Sequence, residues 1–64
     1  MYAIQHRETR MFVTGTDFSR IIGGGFRQFV SSKPMKVYAR KSDAEKDCKR
    51  RRCGRIYKVV EVDV

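Results

Sequence analysis

"KSDAEKDCKRRRCGR", residues Lys41 to Arg55, contains the one helix that the sequence announces. Ser42 precedes Glu45 by three residues, the S-x-x-E spacing in which each side chain satisfies a backbone amide at a helix start. Asp43 and Glu45 add negative charge where the helix dipole is positive, and the basic run lies where it is negative. Gly54 is the expected stop, able to leave the last turn in the left-handed conformation. The spacing predicts a helix over residues 42–53. Counting about 100° per residue puts Ala44 and Cys48 on a narrow apolar stripe. The stems of Arg51 and Arg52 flank that stripe and snorkel outward, while Lys46, Lys49 and Arg50 fall on the arc facing away.

Strand patterns lie on both sides of this helix. In "MKVYAR" (Met35–Arg40), Met35, Val37 and Ala39 alternate with Lys36, Tyr38 and Arg40, which predicts a third strand with the latter set on an open sheet face. "RIYKVVEVDV" (Arg55–Val64) predicts the last strand. At the start of the chain, "YAIQHR" (Tyr2–Arg7) and "MFVTGTD" (Met11–Asp17) are separated by Glu8-Thr9-Arg10, short enough for an antiparallel hairpin. The stretch "FSRIIGGGFRQFVSSKP" holds three glycines and a proline and is read as a flexible loop over 18–34, with Phe26, Phe29 and Val30 in a helical turn or short strand. The expected fold class is α+β, a three- to four-stranded, mainly antiparallel sheet with one helix packed on one face. The order is β-β-loop-β-α-β within a single domain, residues 1–64. A helical connection permits parallel pairing of the last two strands, right-handed if so; the tight turn at Gly54 permits antiparallel packing, and strand order stays open.

The charge pattern points to a partner class. The chain carries 15 basic and 7 acidic residues, a net charge of +8, and residues 33–58 hold eleven of the basic ones against three acids. Such clustering fits a polyanion. Phosphates attract clustered Lys and Arg regardless of sequence, and the planar fork of Arg donates to them in pairs. Lys36, Arg40, Lys41, Lys46, Lys49, Arg50, Arg51, Arg52 and Arg55 are the candidate nucleic-acid-binding residues, with Tyr38 as a base-stacking residue among them. RNA is preferred to duplex DNA, because a single helix supplies no helix-turn-helix.

Other chemistries find little to work with. No Ser/His/Asp, Cys/His or paired-carboxylate set can be assembled from one histidine and scattered acids, and a chain this short has little room for a catalytic cleft, so no enzyme and no catalytic residue is expected. "RIIGGGFR" lacks the G-x-x-x-x-G-K-[ST] pattern of a phosphate-binding loop. Cys48 and Cys53, five apart, would point about 140° away from each other on one helix. His6 alone cannot complete a zinc site, so no metal and no cofactor is expected, and the cysteines read as free thiols of a reducing compartment. Neither a signal segment nor a membrane span is evident, which leads to an expected cytoplasmic location and no membrane partner.

"MYAIQHRETRMFVTGTDF" and "KVYARKSDAEKDCKRRRCGRIYKVVEV" together resemble small early proteins of tailed bacteriophages, which pair an opening hairpin with a "DAE"-started helix and a "YKVVEV"-like strand. The resemblance covers about two thirds of the chain. It implies a host-takeover or anti-defence role in the host cytoplasm, similar to that of small basic RNA-binding inhibitors of endoribonuclease toxins in toxin–antitoxin systems. A host toxin or nuclease is then a partner, and the competing reading is a protein-binding inhibitor whose basic face docks on an acidic surface of a host enzyme. The edge of so small a sheet is also open to pairing with a second copy, so a homodimer stays in view.

Overall fold

The computed structural model describes residues 1–22 and 25–63. Five elements follow one another: β1 (Tyr2–His6), β2 (Phe12–Ile22), β3 (Gly25–Ser31), α1 (Lys41–Arg50) and β4 (Tyr57–Glu61). The strands form one sheet in the order β3-β2-β1-β4, and every neighbouring pair is antiparallel. The fold is α+β, with the helix laid across β1 and β4. The last strand pairs with the first, Ile4 opposite Val59 and His6 opposite Tyr57, which excludes a parallel β-α-β unit.

The third strand is the main departure from the sequence reading. Residues 18–34 are mostly a β-hairpin rather than a loop, and β2 runs on to Ile22 before the chain returns through β3. Gly25 opens β3, while Gly23 and Gly24 lie outside the described residues, as does Val64 at the expected end of the last strand. A pair of glycines between two apolar runs is the usual chemistry of a tight hairpin. Met35–Arg40 is not a strand. Its one ladder contact is an isolated bridge in which Tyr2 and Tyr38 exchange both backbone hydrogen bonds, each 2.8 Å. The physical reason is edge availability. β4 already occupies one side of β1, β2 pairs with the other only near Gln5 and Phe12, and Tyr38 takes the short stretch of edge left at Tyr2.

The helix ends also differ from expectation. Arg40 is the N-cap and makes no side-chain cap bond, so the Ser42–Glu45 capping box is not formed. Because α1 starts one residue early, Ser42 already lies inside the first turn, where its hydroxyl cannot take the capping role. At the other end, the Cys53 amide donates to the Cys48 carbonyl (3.2 Å) and the Arg52 amide to that of Lys49 (3.1 Å). This pair of bonds is a Schellman cap, and Arg52, not Gly54, is its left-handed residue, at φ 50°. Gly54 is left-handed as well, at φ 76°, and redirects the chain toward β4.

The core is small. Ala3, Ile4, Val13, Ala44 and Cys53 are the buried apolar residues, with Tyr38, Cys48, Tyr57 and Val59 packed against them. Ala44 lets the helix lie close to the sheet. At the sheet's other end the approach is closer still: a Cβ on Gly25 would stand 2.4 Å from the Arg52 carbonyl oxygen. Gly25→Ala should therefore cost about 1–3 kcal/mol by forcing strand and cap apart. Gly15→Ala, whose nearest neighbour would be the Phe29 ring at 3.7 Å, should stay within about 0.5 kcal/mol. Urea titration of the two variants measures the difference.

Candidate nucleic-acid interface

The basic run does not form one uniform surface. Asp47 sits in its middle and collects the Tyr38 hydroxyl, the Arg50 guanidinium (2.7 Å) and the Arg51 Nε (2.8 Å). Arg51 then reaches across the sheet: a terminal guanidinium nitrogen donates to Thr16 Oγ1, and the Arg51 carbonyl accepts from the Gln28 side chain, each at 2.8 Å. The Thr16 hydroxyl closes the ring by donating to Gln28 Oε1. One carboxylate thus holds the helix to the Tyr38 segment, and one arginine holds it to β2 and β3.

Two of the ten candidate residues are corrected by this geometry. Arg51 is only 7% exposed and spends its charge on Asp47, so it is an internal fastener rather than a phosphate ligand. Its position at the end of the last turn points it down toward Thr16 instead of letting it snorkel outward. Tyr38 is not on an open sheet face. It lies partly buried against the core with its hydroxyl committed to Asp47, and only part of its ring borders the shallow cleft beside Lys36, Lys46 and Arg50. Lys36 places its ammonium 5.8 Å from that ring.

The remaining cations divide between the two flanks of the helix. On one flank Lys36, Lys46 and Arg50 border a shallow cleft together with Asp43 and Asp47, so much of their charge is balanced. On the flank beside β4, a cleft of about 440 Å³ is bordered by Arg7, Lys41, Lys49, Arg52 and Lys58, with Glu45 the one carboxylate. Arg52, Gly54 and Tyr57 also border a second cleft of about 430 Å³, which adds Arg55 and Phe26. The two clefts therefore share a border at the helix cap. Lys41, Lys49 and Arg52 are brought together on the first cleft and Arg52 and Arg55 on the second; Lys46 is exposed on the outer helix, and Arg40 is exposed at the N-cap.

Aromatic rings line the same path. The Arg52 guanidinium lies 5.4 Å above the Phe26 ring, whereas Arg50, on the balanced flank, lies 5.4 Å above Phe18. Tyr57, held edge-on by His6 at 5.0 Å, borders both clefts, and burial pushes its hydroxyl pKa up. It is the aromatic residue best placed beside the free cations. Arg7 is a cleft residue that carries no local signal of its role. Its Nε reaches the Arg55 carbonyl at 2.6 Å from 48 residues away, a neighbourhood created only by the pairing of β1 with β4.

Among the described residues no group of three or more His, Cys, Asp or Glu side chains could hold a metal ion, and no helix is long and apolar enough to cross a membrane. Comparison with protein-family models, curated proteins and solved structures finds no match for this chain.

Asp47 makes the site acid-sensitive. Burial alone would raise its pKa, but the hydrogen bonds from Tyr38, Arg51 and Arg50 outweigh burial and hold the carboxyl at about 2 instead of 3.8. A folded-state pKa below the unfolded value stabilises the protein above the unfolded pKa, and that stabilisation is lost as pH falls through the folded one. Stability should drop by about 1–2 kcal/mol as pH falls from 3.8 to about 2. Asp47→Asn should be less stable at neutral pH and lose that part of the acid dependence, read from urea midpoints across the range.

Proposed function

We propose that this protein is a non-enzymatic nucleic-acid-binding protein that takes single-stranded chains, RNA preferred, along the adjoining clefts at the C-terminal end of α1. The observation that carries this reading is the imbalance between the helix flanks: five cations and one carboxylate border the cleft beside β4. Among the described residues, the two ion pairs involve only Asp47, Arg50 and Arg51, so Lys41, Lys49 and Arg52 keep their charge for an external partner. A backbone of phosphates fits such a row, with binding driven by release of its counterions. Tyr57 and Phe26 give bases apolar surface at the point where the clefts meet, as single-strand binders do. A ten-residue helix ringed by cations offers a duplex groove no second helix to fix its register. On the resemblance to phage early proteins, the proposed setting is host takeover or anti-defence in the host cytoplasm, by denying nucleic acid to a toxin or nuclease.

Binding of a fluorescent single-stranded RNA as a function of salt tests this. Five phosphate contacts would give a log–log slope of about −3.5. Lys41→Glu with Lys49→Glu should weaken binding at least about tenfold and shrink the slope by about 1.4. Lys36→Glu with Lys46→Glu, on the balanced flank, should do much less. A slope near zero, or equal losses from the two pairs, would refute the cleft. Retention of a stoichiometric host protein after nuclease treatment, with no RNA affinity, would favour docking on an acidic enzyme surface instead.

A further inference from the structure

The two cysteines, expected to diverge, meet. Cys48 lies in the last turn of α1, and Cys53 is the residue just past the left-handed Arg52. The cap bond from the Cys53 amide to the Cys48 carbonyl, 3.2 Å, folds the chain back so that Cys53 lies over Cys48. In a Schellman cap these are the two positions whose side chains touch, and here Cys48 packs against the core cluster that contains Cys53. Both are free, and they differ in surroundings: Cys53 is buried in the core, while Cys48 is half-buried and borders the cationic cleft.

We propose that Cys48 and Cys53 form a reversible dithiol–disulfide pair, oxidised by a low-molecular-weight disulfide of the glutathione type. This does not rest on the nucleic-acid reading. Cys48 is the attacking sulfur. It is the half-buried one of the two and borders the cleft; the neighbouring Cys53 thiol lowers its pKa against the effect of burial, while contact with Cys48 together with burial pushes the Cys53 thiol up. The Cys48 thiolate attacks one sulfur of the disulfide, whose S–S bond breaks and releases the first glutathione as a thiolate. Cys53 gives its proton to solvent and attacks Cys48 Sγ, and the second glutathione leaves as a thiolate. The two cysteine sulfurs lose two electrons, and the two glutathione sulfurs gain them. Lys41, Lys49 and Arg52 along the cleft suit the carboxylates of the incoming disulfide.

Incubating the full chain with oxidised glutathione, then measuring intact mass and free thiols under denaturing conditions, tests the pair. The expected product is a monomer lighter by two hydrogen atoms, with no free thiol, returned to the dithiol by reductant. Cys53→Ser should stop at a stable glutathione adduct on Cys48, and Cys48→Ser should react at least about tenfold more slowly, as the attacking thiolate is lost. A wild-type chain that stops at the adduct, or that links to a second chain through Cys48, would overturn the proposal.

Discussion

The structure depends on one buried arginine and the carboxylate that neutralises it. A chain with a net charge of +8 and a core whose largest fully buried side chains are Ile4 and Val13 cannot rely on apolar burial alone. Arg51 and Asp47 supply the remaining order by direction rather than area. Two nitrogens of the Arg51 fork find acceptors in different parts of the fold: Nε reaches Asp47 on the helix, and one terminal nitrogen reaches Thr16 on β2. Removing either partner leaves a charge stranded in the interior, which is far more costly than losing a surface ion pair. Among the described residues no buried side-chain polar atom lacks a partner, so the network is complete as well as central.

Much of the fold could be read from the sequence, and what could not has a physical explanation. The opening hairpin, the helix and the last strand follow from local pattern: alternation in Tyr2–Arg7 and Arg55–Val64, and acidic-then-basic order in Lys41–Arg50. Met35–Arg40 alternates more cleanly than Phe26–Val30, whose apolar residues fall at 26, 29 and 30, and local pattern cannot reveal which segment finds a free strand edge. Glycine reads locally as a breaker, yet Gly25 is the first residue of β3. The cysteine contact was hidden by treating residues 42–53 as one continuous helix. A helix that ends at Arg50 and a left-handed Arg52 turn a divergence into a meeting.

For the candidate site, position along the helix could be read, but charge status could not. That Lys41, Lys49 and Arg52 are cationic is written in the chain; that Arg51 is not available for binding depends on Thr16, 35 residues away. The same holds for Tyr38, whose hydroxyl is claimed by Asp47. Sequence reasoning counts charges, whereas the fold decides which of them face an unbalanced surface. The cap at Arg52 sits at the centre of that decision, because it borders both clefts, stacks its guanidinium over Phe26 and brings Cys53 to Cys48.

The pairing of β1 with β4 also sets an order of events during folding. The β2–β3 hairpin is local and pays little loop-closure entropy, so it can close early. β1 is an interior strand of the sheet, yet its longest ladder, Tyr2 opposite Glu61 through His6 opposite Tyr57, joins the two ends of the chain. Until the last strand arrives, Ile4 has no Val59 beside it and one side of β1 keeps its amides unpaired. On a ribosome the core therefore cannot close until translation has passed β4, and β1, made before the other strands described, waits for its partner.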